Sequence, residues 1–153
     1  MTPQQQQILD LRYMREALKE AEAAARDDEV PVGAVVVSPS GRIIGRGHNM
    51  TERLGDVTAH AEILAITAAE QALGSKFLEG CRVYVTVEPC VMCAGALAWA
   101  RPDAIIIGAR DPKKGFLSQY ALTPFRPGTE VSFGLLGDEA SKMMTDFFAA
   151  KRK

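Results

Sequence analysis

The chain has 153 residues, of which 47% are hydrophobic and 24% charged, and a formal net charge of -1 at pH 7. That length suits one domain, spanning 1–153, with a core of its own, and the composition is that of a globular chain, which counts against disorder and membrane insertion. No apolar run approaches the roughly 20 residues of a membrane span, and the near-neutral charge gives no global drive toward nucleic acid, so any RNA contact must be local. Met1-Thr2-Pro3 and the four glutamines after it lack the basic start and apolar stretch of a secretory signal, so the expected compartment is the cytoplasm. Three cysteines is an odd count. Two of them form a Cys-x-x-Cys, which in a reducing compartment points to metal or redox chemistry before a disulfide framework, and Cys81 is left as a buried core residue.

From Ile8 to Arg26, Leu11, Met14, Leu18, Ala21 and Ala25 recur at helical spacing and predict an amphipathic helix. Val32 to Val37 is a β-branched run suited to a buried strand. Ser38-Pro39-Ser40-Gly41 turns the chain into an antiparallel partner over Arg42 to Gly47. A polar loop covers His48 to Val57. Thr58 is the expected N-cap of a helix reaching Leu73, which places His60 and Glu62 in its first turn. Arg82 to Val87 is a third strand. Pro89 suits the first position of a helix running through Cys90 and Cys93 to Ala100. Ala104 to Ala109, fully apolar, is expected to be a central strand parallel to the third, by a right-handed crossover. Arg110 to Gly128 has no clear period and is expected to be loop with short helical turns. Thr129 to Phe133 is expected as an edge strand, and Asp138 as the N-cap of a last helix burying Met143, Met144, Phe147 and Phe148. The sum is an α/β fold, a three-layer α/β/α sandwich around a five-stranded mixed sheet.

His60, Cys90 and Cys93 make three zinc ligands, an incomplete set of the kind that leaves one position for water. Cysteines three apart at a helix start share one face, and the unpaired amides there favour thiolate. Glu62 lies roughly 200° around the helix from His60, so it is suited to moving protons beside the ion rather than binding it. A carboxylate that takes a proton from water and ferries it to a departing amine performs hydrolytic deamination. Alone, Cys-x-x-Cys also fits a redox pair or half a structural zinc site. A dithiol leaves His60 and Glu62 without a role, and a closed zinc site lacks a fourth ligand, since His48 is the only other histidine. A small-molecule deaminase and a non-catalytic zinc module remain the alternatives.

Thr58-Ala59-His60-Ala61-Glu62, Val85 to Ala96 and Glu29 to Ala34 resemble the bacterial tRNA-specific adenosine deaminases of the cytidine deaminase superfamily. The resemblance implies one zinc ion per chain on His60, Cys90 and Cys93, with Glu62 as proton shuttle. It also implies deamination of adenosine to inosine at the first anticodon position of a tRNA, whose anticodon stem-loop docks in a groove completed by the partner of a homodimer. Asn49 matches the family asparagine that hydrogen-bonds the target base. Arg110, Lys113 and Lys114 are the candidate RNA contacts, while Val32 and Phe148 are candidates for the pocket wall, with the core as their other place. Guanine deaminases share both motifs, and often have a tryptophan after the second cysteine, as Trp99 is here. Free-nucleoside cytidine deaminases usually have cysteine at the position of His60.

Overall fold

The computed structural model describes residues 1–152. Helix α1 spans Pro3–Arg26 and starts earlier than its apolar spacing suggests. Thr2 and Gln5 cap each other reciprocally, the Gln5 amide on Thr2 Oγ1 at 3.1 Å and the Thr2 amide on Gln5 Oε1 at 2.7 Å. This capping box draws the glutamines into the helix. Its buried stripe is Tyr13, Met14, Ala17, Leu18, Ala21 and Ala24, so Leu11 and Ala25 fall outside it.

Five strands follow, β1 (Gly33–Val37), β2 (Ile43–His48), β3 (Arg82–Val87), β4 (Ala104–Ala109) and β5 (Glu130–Phe133). They lie in the order β2-β1-β3-β4-β5. β1 is antiparallel to both β2 and β3, while β3, β4 and β5 run parallel. The sheet is therefore mixed, and β4 is wholly buried beside the edge strand β5. One face carries α3 (Ala61–Leu73) and α4 (Val91–Ala100), which bury Ala65, Ile66, Ala94 and Leu97 against Val36, Val83, Val85 and Ile105. The other face carries α1 and α6 (Gly137–Lys151). The expected three-layer α/β/α sandwich is the architecture observed.

Close approach of α3 to the edge strand depends on two glycines. A Cβ at Gly45 would stand 2.3 Å from the Ala65 carbonyl oxygen and one at Gly47 2.4 Å from that of Ala61. Both distances are impossible for a side chain, so β2 can lie under the start of α3 only with glycine there.

Several boundaries differ from expectation. The polar loop after β2 contains a short helix, α2 (Thr51–Leu54). His60, not Thr58, is the N-cap of α3, because Thr58 is drawn into a turn by Asp56 Oδ1 at 2.7 and 2.8 Å. Pro89 precedes α4, and Cys90 is its N-cap. A second short helix, α5 (Phe116–Gln119), sits in the long loop after β4. Leu136, at a φ of 53°, caps α6 in place of Asp138. That helix buries only Ala140, leaving Met143, Met144 and Phe147 half-buried and Phe148 41% exposed. The stripe that α6 turns inward is narrow, with Ala140 its one buried residue, so Phe147 is half-buried and Phe148 stands beyond it.

Candidate active site

His60 and Cys90 are the N-caps of α3 and α4, both in extended backbone; the His60 side chain makes no bond to its own helix, while Cys90 Sγ accepts from Cys93. The capping duty at α3 falls elsewhere: the Ala61 amide donates to Asn49 Oδ1 at 2.9 Å. The imidazole is thereby free, and its Nδ1 faces Cys90 Sγ at 3.7 Å and Cys93 Sγ at 3.5 Å. All three atoms lie within 4.8 Å of one another. Tetrahedral zinc, with Zn–S of about 2.3 Å and Zn–N of about 2.0 Å, places neighbouring ligand atoms roughly 3.6 Å apart. The donor set and its spacing fit zinc.

Charge is arranged to suit a cation. Cys90 is pulled down to about 4, first by the hydrogen bond from Cys93 and then by His60. The Cys93 thiol is pushed far up by the same contact and by burial. His60 is raised by the Cys90 thiolate beside it. The two sulfurs thus share a proton that a metal ion would displace.

Glu62 is the second residue of α3 and 4% exposed. Burial pushes its carboxyl up to about 7, the Cys90 charge adding to the rise and His60 opposing it. A carboxyl poised near neutrality beside an ion is equipped to take and return protons. Asn49, 8% exposed, has its oxygen fixed on the Ala61 amide. Its NH2 group, with no partner among the described residues, is left as a donor at the site's edge.

Residues 7–109 match the model of the cytidine and deoxycytidylate deaminase zinc-binding region. The tRNA-specific adenosine deaminase of Bacillus subtilis is 44% identical over 148 residues, which cover 94% of this chain and 91% of the relative. The chain belongs to the tRNA-specific adenosine deaminase family. A solved structure from studies of A-to-I editing by tRNA:A34 deaminases at the wobble position is 43% identical, with a TM-score of 0.80 over 86% of this chain and 98% of its own. A guanine deaminase from Nitrosomonas europaea is more distant at 27% identity, with a TM-score of 0.77 over 91% of this chain and 84% of its own.

Around the family's metal centre stand two loops, each tied to a buried carboxylate that the motifs did not single out. Glu29 accepts from the Glu52 amide at 3.2 Å, the Arg53 amide at 2.8 Å and the Thr51 hydroxyl at 3.4 Å, which fixes the segment after Asn49. Glu88 accepts from Arg110 Nε at 2.8 Å and the amides of Asp111 and Leu117 at 2.9 and 3.0 Å. For Glu88 the legible signal was an acid between apolar runs, since burying a carboxylate demands donors; Glu29, closing the polar Asp27-Asp28-Glu29 turn, carried no such signal.

The other sequence-predicted residues are less closely gathered. Arg110 is half-exposed, with one nitrogen on Glu88 and its guanidinium 5.6 Å from the Phe133 ring centre. Lys113 and Lys114 are exposed, and their amides bond Asp111 Oδ1 at 3.2 and 3.1 Å. Val32 belongs to the core on the α3 face, its carbonyl accepting the Asn49 amide at 3.3 Å. Phe148 stands on α6, edge-on to Phe147 with ring centres 5.2 Å apart. His48 ends β2 and bonds Glu20 at 3.0 Å, away from the ligand set.

Proposed function

We propose that the protein hydrolytically deaminates adenosine to inosine at the first anticodon position of a tRNA. The observation that carries this is a buried carboxyl, Glu62, standing beside a His60, Cys90, Cys93 triad spaced for zinc. Bound zinc would supply a Lewis acid that lowers the pKa of water at its open position toward about 7. Glu62 takes the proton of the attacking water and passes it to the departing amine, so adenosine and water give inosine and ammonia. Asn49 offers its NH2 to an acceptor on the base, its orientation locked by the Ala61 amide. The target base must leave its stack to reach Glu62, and an anticodon loop supplies such a base at small cost. Arg110, Lys113 and Lys114 line the loop that would meet the phosphates, and Val32 and Phe148 would close the pocket.

The enzyme acts in the cytoplasm as a homodimer. Supporting this, an apolar groove of about 480 Å³ runs between α3 and α4, lined by Ile63, Ile66, Phe77, Ala96 and Trp99, with Trp99 80% exposed. An exposed aromatic in such a patch suits a partner surface. Among the described residues no helix is long and apolar enough to cross a membrane. Deamination of free guanine is the second reading, favoured by the likeness to the Nitrosomonas europaea enzyme. The test is to incubate the zinc-loaded protein with a wobble-adenosine anticodon stem-loop and, separately, with guanine, adenosine and cytidine. Inosine in the RNA is expected; ammonia from guanine with unmodified RNA would favour the second reading.

A further inference from the structure

We propose that Glu88 is a positioning residue that holds the basic loop after β4 in its RNA-binding form, and that its carboxylate governs substrate affinity rather than the metal centre. The proposal rests on the tRNA reading given above. The Glu88 side chain is fully enclosed, and all three of its donors come from residues 110–117. None comes from the cysteine turn that follows it. Oε1 takes Arg110 Nε and the Asp111 amide, while Oε2 takes the Leu117 amide, so the carboxylate clamps both ends of the loop.

The clamp has a fitted space. A Cβ on Gly115 would lie 2.2 Å from Glu88 Cδ and 2.3 Å from its Oε2, so the loop can close on the carboxylate only with glycine there. The same loop abuts the ligand turn, Gly115 pairing with Cys90 in an isolated bridge and the Phe116 amide bonding the Pro89 carbonyl at 2.9 Å. From Glu88 the order passes outward. Asp111, fixed through its amide, gathers the amides of Lys113 and Lys114 on Oδ1 and so sets where those exposed side chains begin. Arg110 spends Nε on Glu88, and its two terminal nitrogens have no partner among the described residues. That leaves a forked donor at the loop's start, the geometry that suits a phosphate.

An alternative is that Glu88 merely cancels the charge of Arg110. The two roles predict opposite signs. If Glu88 were only a charge sink, Glu88→Gln would free Arg110 and tighten RNA binding. If Glu88 is a clamp, the glutamine turns an NH2 toward a backbone N–H, the loop opens, and RNA binding weakens.

The experiment uses the zinc-loaded full chain and a wobble-adenosine anticodon stem-loop. Inosine formation by the unaltered protein tests the tRNA reading on its own, before any variant is compared. For Glu88→Gln the expected result is a KM raised about tenfold, as the loss of a buried charged hydrogen bond implies, with a smaller change in kcat and one zinc retained per chain. The salt dependence of binding should flatten by about 0.7 in log-log slope for each phosphate that the opened loop no longer neutralises. In a Lys113→Ala/Lys114→Ala background, Glu88→Gln should have a smaller effect, because part of its action passes through those residues and only the part through Arg110 is left. An unchanged or lowered KM, zinc loss, or a full effect in the double-lysine background would overturn the proposal. If Glu88→Gln does not fold, Asp111→Ala breaks the same chain of bonds at a part-exposed position, and unchanged RNA affinity there overturns it equally.

Discussion

At the floor of the site, side chains from two helix starts meet directly, with His60 Nδ1 within 3.7 Å of both cysteine sulfurs. At the rim, two loops are set indirectly, by backbone amides that reach back to Glu29 and Glu88, and the second loop carries the residues proposed to touch RNA. The floor is fixed by ligand chemistry and admits only side chains that can hold the metal. The rim is fixed by hydrogen bonds to a pair of carboxylates, so it can vary in sequence while keeping its shape. The zinc-binding family model ends at residue 109, just before the second rim loop begins.

The sharpest way to break the contrast is to remove a floor ligand. Cys90→Ala should lower zinc affinity by more than the roughly 100-fold that loss of an outer partner costs, and metal analysis of the purified variant checks it. Full zinc occupancy would show that the floor is not a single ligand set. The next effect concerns Glu62 in zinc-free protein. Its carboxyl is raised from 4.5 to about 7 by burial. Between those values the folded chain keeps a proton that the unfolded chain has lost, so this group's contribution to stability falls as pH rises through the window. Glu62→Gln should remove the fall, a difference on the order of 3 kcal/mol across pH 4.5 to 7, read by denaturant unfolding of both zinc-free proteins. The comparison between the two proteins cancels the opposite trend of Cys90, whose lowered value adds stability as pH rises.

Asn49 belongs to floor and rim at once, and its variant sharpens the distinction. Asn49→Ala removes the cap on Ala61, which should cost about 1 kcal/mol and lower Tm by about 2 to 4 °C. KM for the stem-loop should rise in the same variant, since the donor proposed to meet the base is gone. Calorimetry with zinc bound and steady-state kinetics together check this; a Tm loss without a KM change would confine Asn49 to structure. The smallest effect is expected from the outermost residues. Lys113→Ala and Lys114→Ala should each raise KM a fewfold and flatten the salt slope by about 0.7 for each phosphate left without its cation, and binding titrations at several salt concentrations measure it.

How much of this was legible in the sequence follows the same division. The bounds of β3 and β4 were readable because Arg82 to Val87 and Ala104 to Ala109 are uninterrupted strand-forming runs closed by polar residues or proline. The grouping of His60, Cys90 and Cys93, with Glu62 buried near them, was readable because metal binding restricts residue type and spacing. Helix starts were not: the partner of the Ala61 amide stands twelve residues earlier, on Asn49. The roles of Glu29 and Glu88 were hidden for the same reason, since their donors lie 22 to 29 residues away in sequence. Phe148 was misplaced among the buried residues because its apolarity says nothing of how far α6 turns its stripe from the sheet.

The role proposed for Glu62 is to work beside the metal without holding it. The direct measurement is zinc content and inosine formation on a wobble-adenosine anticodon stem-loop, taken together on purified Glu62→Gln. One zinc per chain with turnover reduced by about 10² to 10⁴, the usual worth of a general acid and base, is the predicted result. Zinc lost along with activity, or inosine formed at the unaltered rate, would contradict it.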